Sequence, residues 1–361
     1  MTTYRYKRIA VKVGSNVLTG RQGGLDIKRL ASIVDQVSTL QKAGIDVILI
    51  SSGAVASGRS VIQPNRKLDP VDQRQLYSAV GQAILINHYY DLFQKNGLIC
   101  GQVLTTKENF HSRRHYLNQK NCMTVMLENG VIPVVNENDT ISVTELMFTD
   151  NDELSGVIAT MMDVEALIIL SNIDGIFNGN PNDPASRLIP VIEPGEELKK
   201  YISTEKSSFG RGGMLTKTNI ARKVAEEGIT VFIANGTKDT ILTDLLDTSV
   251  EAVCTRFTAG EKASSAVKKW IAHSEGFAKG EVHINEGCQK ALLNDKASSL
   301  LPVGITRIEG TFEKGDIIRI YNQDGHSIGV GKAQYGSLTA NDVMGKKGEK
   351  PLVHYDYLYL D

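Results

Sequence analysis

Over roughly the first two-thirds of this chain, apolar residues alternate between short continuous runs and helically spaced sets. Arg8 to Val13 (RIAVKV) is a β-rich run that stops at Gly14. Ile27, Leu30, Ile33, Val34, Val37 and Leu40 then recur at helical spacing, and Gly44 closes that segment. Val47 to Ile50 is an apolar strand leading into Ser51-Ser52-Gly53. Asp69-Pro70 reads as an N-cap with proline at the first helical position. The helix it opens carries Leu76, Val80, Ile84 and Leu85. Further strands are predicted near Leu98 to Leu104, Val131 to Val135, Ala166 to Leu170 and Thr230 to Ala234. A helix over Tyr116 to Glu128 ends at Asn129-Gly130. Strands this apolar have both faces covered. The alternation predicts an α/β fold: an open, mostly parallel sheet sandwiched by helices.

Near residue 255 the pattern changes. Thr258 to Lys269 is polar and rich in small residues. Gly287 to Leu293 fits a brief helix, and Ile317 to Tyr321 and Ser327 to Val330 flank an Asn322-Gln323-Asp324-Gly325 turn. The expected layout is a first domain over 1–254, a linker over 255–276 and a small β-rich domain over 277–361.

Composition narrows the classes. The 361 residues are 41% hydrophobic and 22% charged, an ordinary globular balance, and the formal net charge of −1 demands no nucleic-acid or membrane partner. Cys100, Cys122, Cys254 and Cys288 are too far apart in sequence to suggest a zinc knuckle or a redox pair. No apolar run has the length of a membrane span, and the N-terminus enters a strand instead of an apolar signal core. A soluble cytoplasmic protein is expected.

In parallel sheets, ligands gather at the carboxyl ends of the strands. After the first strand come Lys12 and Gly14, a point charge and a close-approach backbone suited to phosphate, or simply a basic strand and a turn. After the second come Ser52 and Gly53, either exposed donors or an ordinary helix start. Asn136, Glu137 and Asp139 follow the fourth strand, and Asp150, Asn151 and Asp152 open the next helix. Such polar turns are common. Together they suit an amino acid, with carboxylates for its ammonium and amides for its carboxylate, or a magnesium ion. Ser171 and Asn172 follow the fifth strand. The sharpest local signal is Gly210-Arg211-Gly212-Gly213-Met214-Leu215-Thr216-Lys217, a glycine-rich loop feeding a helix N-terminus. It lacks the common P-loop spacing, and GxGxxG is absent, so a nicotinamide cofactor is poorly supported. None of the seven histidines falls in a nucleophile or metal-ligand pattern. A kinase acting on a carboxylate needs none, because its acceptor is already ionised at neutral pH.

The succession VKVGSNVLT, ISSGAVASG, YSAVGQ, VVNENDT, TDNDELSG and GRGGMLTK resembles the bacterial glutamate 5-kinases of the amino acid kinase family, over about residues 8 to 248. The tail, with GEVHINEGCQKALL and SSLLPVGITRIEG, resembles a PUA domain. The resemblance implies ATP-dependent phosphorylation of the side-chain carboxylate of L-glutamate, with Mg²⁺ as cofactor. It implies that Lys12 and Lys217 stabilise the transferring phosphoryl group and that Asp152 positions both lysines. Ser52, Asp139 and Asn151 match glutamate-binding positions; Gly53, Asn136, Glu137 and Asp150 adjoin the same pocket. Lys12, Gly14, Ser171, Asn172 and the run Arg211, Gly212, Gly213, Met214, Leu215, Thr216 and Lys217 match the nucleotide side. Feedback inhibition by proline and a homo-oligomer are further implications. Two departures stand out. Ser171-Asn172 replaces a frequent Thr-Asp, removing a carboxylate beside the nucleotide, and Arg211 replaces a frequent threonine, adding a cation near the phosphates.

Rival acceptors within the fold are N-acetylglutamate, aspartate, carbamate and a nucleoside monophosphate; the VNEND and DNDELS stretches favour free glutamate. RNA binding by the tail is the rival from another class. Glu275 to Asp361 holds ten Lys/Arg and twelve Asp/Glu, a net of −2, which gives no basic footprint. No RNA partner is expected.

Overall fold

A computed structural model describes every residue except 1–2, 21–22, 111–112, 142–147, 149, 182, 197–212, 261–270, 272–277, 295–297 and 361. The chain divides into two compact units. One comprises Met1–Asn109 with Leu117–Ala263, the other Phe110–Tyr116 with Ser264–Asp361.

The first unit is built on an eight-stranded sheet ordered β3-β4-β2-β1-β5-β7-β8-β6. Its strands are β1 (Arg8–Val13), β2 (Asp46–Ser51), β3 (Ile99–Thr105), β4 (Val131–Glu137), β5 (Ala166–Ser171), β6 (Val191–Ile192), β7 (Thr230–Asn235) and β8 (Cys254–Phe257). Neighbours from β3 to β7 run parallel, and β1 lies between β2 and β5. The apolar runs of β1, β2 and β5 are buried on both faces, with Ile9, Val11, Leu49, Ile168 and Leu170 at 0% exposure, whereas β3, at the edge of the sheet, departs from that expectation and exposes Ile99 and Leu104. The six strands predicted from the pattern are all present. Two were missed, β6 and β8. β8 pairs antiparallel with β7, so the sheet is mixed at that end and extends through Phe257, into the segment assigned to the linker. A four-residue strand and a two-residue strand carry too few apolar positions to register as a period.

The helices of this unit are α1 (Ser15–Leu18), α2 (Ile27–Lys42), α3 (Ala54–Val61), α4 (Pro70–Lys95), α5 (Arg113–Glu128, counted with this unit from Leu117 onward), α6 (Asn151–Met161), α7 (Met214–Glu226) and α8 (Ile241–Leu246). The Asp69 carboxylate accepts from the Val71 and Asp72 amides, so the predicted N-cap starts α4 with Pro70 at its first position. α3 and α4 cross so closely that a Cβ on Gly81 would lie 1.7 Å from the Ala54 carbonyl oxygen, and one on Gly58 would lie 1.9 Å from that of Tyr77. Only glycine fits at either position, which fixes α4 against α3.

The second unit holds a five-stranded sheet ordered β10-β9-β11-β12-β13, from β9 (Gly280–Ile284), β10 (Ile305–Gly310), β11 (Ile317–Tyr321), β12 (Ser327–Lys332) and β13 (Leu358–Leu360). Helices α9 (Glu286–Leu292) and α10 (Ser337–Val343) accompany it, and Val282, Ile284, Phe312, Ile318, Ile320 and Leu352 form its own core. The Asn322–Gly325 turn joins β11 to β12: the Asn322 side chain accepts from the Asp324 and His326 amides, and Gly325 takes φ +76°.

Candidate active site

The site residues collect at the carboxyl ends of β1, β2, β4 and β5, around the strand where the sheet order reverses. Lys12 is the penultimate residue of β1 and only 4% exposed. An ammonium this deep requires a partner. Asp152, at 0% exposure in the first turn of α6, supplies it: Lys12 Nζ lies 2.6 Å from Oδ1 and Lys217 Nζ lies 2.8 Å from Oδ2. One carboxylate therefore holds two ammonium groups from different ends of the chain. Burial alone raises the Asp152 pKa, but the two lysines outweigh it and hold the carboxyl below its ordinary value.

Local sequence explains the placement. Asp150 is the N-cap of α6, accepting from the Asp152 amide at 2.9 Å and the Glu153 amide at 3.1 Å, so the turn carrying Asp152 is pinned from its own cap. Glu153 pairs with Lys107, Oε1 to Nζ at 3.0 Å. One turn further along, Gly156 lets α7 pack close; a Cβ there would sit 3.0 Å from Ile220 Cγ2 and 3.1 Å from Val224 Cγ2. That approach brings Lys217, one turn before Ile220, within reach of Asp152.

The two helix starts differ in what they offer an anion. The first-turn amides of α6 are taken by Asp150, whereas the N-cap of α7 is Gly213, which has no side chain to accept from them. The N-terminus of α7 thus has no side-chain cap from its own N-cap residue, and its positive dipole end lies beside Lys217. Met214, Leu215 and Thr216 form that first turn, with Leu215 55% exposed. Arg211 and Gly212 lie outside the described residues. Gly14 follows β1, its amide donating to the Leu170 carbonyl at 3.1 Å. A Cβ on Gly14 would come within 3.0 Å of that oxygen. Ser171 ends β5 with its hydroxyl 3.4 Å from Asn172 Oδ1. Beside them, Asp174 receives Asn235 at 3.1 Å and Lys238 at 2.8 Å.

A second cluster adjoins the lysine bridge. The Asn151 amide nitrogen lies 3.0 Å from the Ser51 carbonyl, 3.0 Å from Ser52 Oγ and 3.1 Å from Asn136 Oδ1. Asn136 in turn donates to Gln82 Oε1 at 2.8 Å and accepts the Glu137 amide at 2.9 Å. Gly53, at φ +109°, makes the left-handed turn from β2 into α3 beside Ser52. Glu137 and Asp139 are buried on Arg74 of α4: Nη2 lies 3.0 Å from Glu137 Oε2 and 2.5 Å from Asp139 Oδ1, and Nε donates to that same Asp139 oxygen at 2.7 Å. The Asp150 pKa is raised, first by burial and then by Asp152. Its Oδ2 is buried with no hydrogen-bond partner among the described residues.

Of the residues singled out from the sequence, the fold unites Lys12, Asp152 and Lys217 directly, and Ser52, Asn136 and Asn151 through amide contacts. Arg74, Gln82 and Lys107 were missed. Gln82 closes the YSAVGQ motif, a signal that was available, but Arg74 and Lys107 meet partners far along the chain and no spacing announces them.

A phosphate-receptive helix start, two lysines on one buried aspartate and an amide-and-carboxylate pocket on a parallel sheet define a small-molecule kinase, and comparison bears this out. The profile of the amino acid kinase family matches residues 7–235, and that of the PUA domain matches 280–355. The chain belongs to the amino acid kinase family. Within it, the chain is 68% identical to a protein named glutamate 5-kinase from Bacteroides thetaiotaomicron, over 99% of both chains. It is 50% identical to glutamate 5-kinase from Chlorobaculum tepidum, over 98% of both. The solved UMP kinase of Bacillus anthracis aligns at TM-score 0.49 and 15% identity, over 70% of this chain and 96% of that one.

Proposed function

We propose that this kinase moves the γ-phosphoryl group of ATP to the side-chain carboxylate of free L-glutamate, giving L-glutamyl 5-phosphate, the first step of proline biosynthesis. The observation that carries this is the buried Lys12–Asp152–Lys217 bridge, one residue from Asn151, which joins Ser52 and Asn136. High identity to glutamate 5-kinases over nearly the whole chain supports the choice of acceptor.

An ionised acceptor oxygen attacks the γ-phosphorus as the bond to the bridging oxygen breaks, and that bond's electron pair leaves with ADP. The acceptor carboxylate has an ordinary pKa of about 4.3, so no general base is needed. The protein's work is alignment and charge neutralisation. Lys12, Lys217 and the donors around Gly14, Arg211, Gly212 and Gly213 take up the charge on the transferring group. Asp152 holds the lysines apart and aimed. Ser52, Gly53, Asn136, Glu137, Asp139, Asp150 and Asn151 form the glutamate pocket. Ser171, Asn172 and Met214 to Thr216 border the nucleotide. Mg²⁺ would travel with the phosphates and supply further charge neutralisation; the orphaned Asp150 Oδ2 is the protein group that fits a cation. Proline as feedback inhibitor, a homo-oligomer and a cytoplasmic setting belong to the same reading. No described helix is long and apolar enough to cross a membrane. Initial rates at sub-saturating glutamate across millimolar proline test the inhibition, and light scattering tests the assembly.

ADP release with MgATP and glutamate, N-acetylglutamate, aspartate, carbamate or UMP tests the reaction, with hydroxylamine present to trap an acyl phosphate. Release with glutamate alone and a trapped γ-hydroxamate is expected. Release with a different acceptor alone overturns the glutamate assignment.

A further inference from the structure

We propose that Arg74 is a specificity-determining positioning residue of the acceptor site: it holds Asp139 where the α-ammonium of a free amino acid lands. The inference rests on the acceptor being free glutamate.

Arg74 stands on α4, with 24% of its side chain exposed, and joins two carboxylates exposed by only 3% and 9%. The two acids differ in how they are held. Glu137 ends β4; its amide is tied to Asn136 Oδ1 and its Oε1 accepts the Phe148 amide at 2.9 Å. Its position is set by the sheet. Asp139 lies in the turn beyond the strand, and Arg74 approaches its Oδ1 with both Nε and Nη2. Glu137 thus anchors the guanidinium, and the guanidinium orients Asp139. Arginine suits this task, because its fork is planar and permanently charged and reaches both acids at once.

The same helix holds the turn once more and the end of β4 once: Gln75 donates to the Thr140 carbonyl at 2.8 Å and Gln82 accepts from Asn136. Because Gly58 and Gly81 lock α4 against α3, the helix acts as a fixed rail along the acceptor pocket. Without the guanidinium, two buried carboxylates that had shared one nitrogen would repel each other, and Asp139 sits in a turn whereas Glu137 sits in the sheet. Arg74 acts through Asp139 and has no role in phosphoryl transfer. Its loss should therefore weaken glutamate far more than ATP, and erode the preference for a free ammonium over an acylated nitrogen.

The test compares full-length wild type, Arg74→Met and Arg74→Lys, with thermal unfolding to verify the fold. The wild type must first show glutamate-dependent ADP release; if it does not, the acceptor assignment has failed and not the role of Arg74. For Arg74→Met, KM for glutamate should rise about 30-fold or more, with KM for MgATP and kcat within about fivefold of wild type. The ratio of kcat/KM for glutamate over N-acetylglutamate should fall by at least about tenfold. Lysine reaches one acid at a time, so Arg74→Lys should lie between. A glutamate KM within about threefold of wild type in folded Arg74→Met overturns the proposal. So does a fall in kcat with both KM values rising together, the mark of general damage. Should Arg74→Met not fold, Arg74→Lys decides: a wild-type glutamate KM and acceptor ratio sink the idea.

Discussion

Asp152 carries the most consequential electrostatics of the molecule. A fully buried carboxylate with two lysines 2.6 and 2.8 Å away is a case where burial cost and ion pairing nearly balance, and its worth is in geometry more than in stability. The shared carboxylate lets two ammonium groups that would otherwise repel each other stay close together. Lys217→Met should lower kcat by about 10²-fold or more, as for loss of one preorganised transition-state cation, while the protein stays folded because Lys12 still pairs with Asp152. Single-turnover kinetics with unfolding midpoints would check both halves; a nearly normal kcat removes Lys217 from the chemistry. At this scale the sequence was informative where a residue sits at the end of an apolar strand or the start of a helix, as do Lys12, Ser52, Asn136 and Asp152. It was silent on Arg74, an arginine near the start of α4 whose partners Glu137 and Asp139 are brought to it by β4 and the turn that follows.

Between elements, the decisive contact is α6 on α7. Asp152 and Lys217 belong to different helices, and the spacing of those helices sets the length of the ion pair. Gly156 sets that spacing. Valine there would press its branched carbons onto Ile220 and Val224, where even a Cβ already lies 3.0–3.1 Å away. Overpacking of this kind costs about 1–3 kcal/mol. Gly156→Val should therefore lower the melting temperature and, by displacing Lys217, lower kcat by about tenfold or more. Calorimetry and initial rates on the same sample separate the two effects. A lower melting temperature with unchanged kcat means that helix spacing does not govern the lysine. The long elements were legible because their apolar patterns are long: six apolar strand runs and the Asp69-Pro70 helix start announce themselves. β8 was not, because its four residues, Cys254–Phe257, alternate buried and half-buried at the antiparallel end of an otherwise parallel sheet.

For the whole molecule, the two units divide the work. Every described residue of the lysine bridge and the acceptor cluster, Arg74 included, lies within Met1–Asn109 or Leu117–Ala263, and that unit has its own continuous core from Ile9 to Leu246. The second unit has a separate core around Val282, Ile318 and Leu352 and contributes no described group to either cluster. Units with their own cores are candidates for independent folding. A chain ending at Ala263 should then keep glutamate-dependent ADP release with kcat within about fivefold of full length, since no transition-state contact named above is removed. Circular dichroism would establish that the shortened chain is folded, and the acceptor assay would be run at saturating glutamate and MgATP. Activity retained at that level assigns the chemistry to the first unit and leaves the second for regulation or assembly. A folded but inactive product would mean that the C-terminal unit shapes the catalytic geometry, and the division of labour drawn from the separate cores would be wrong.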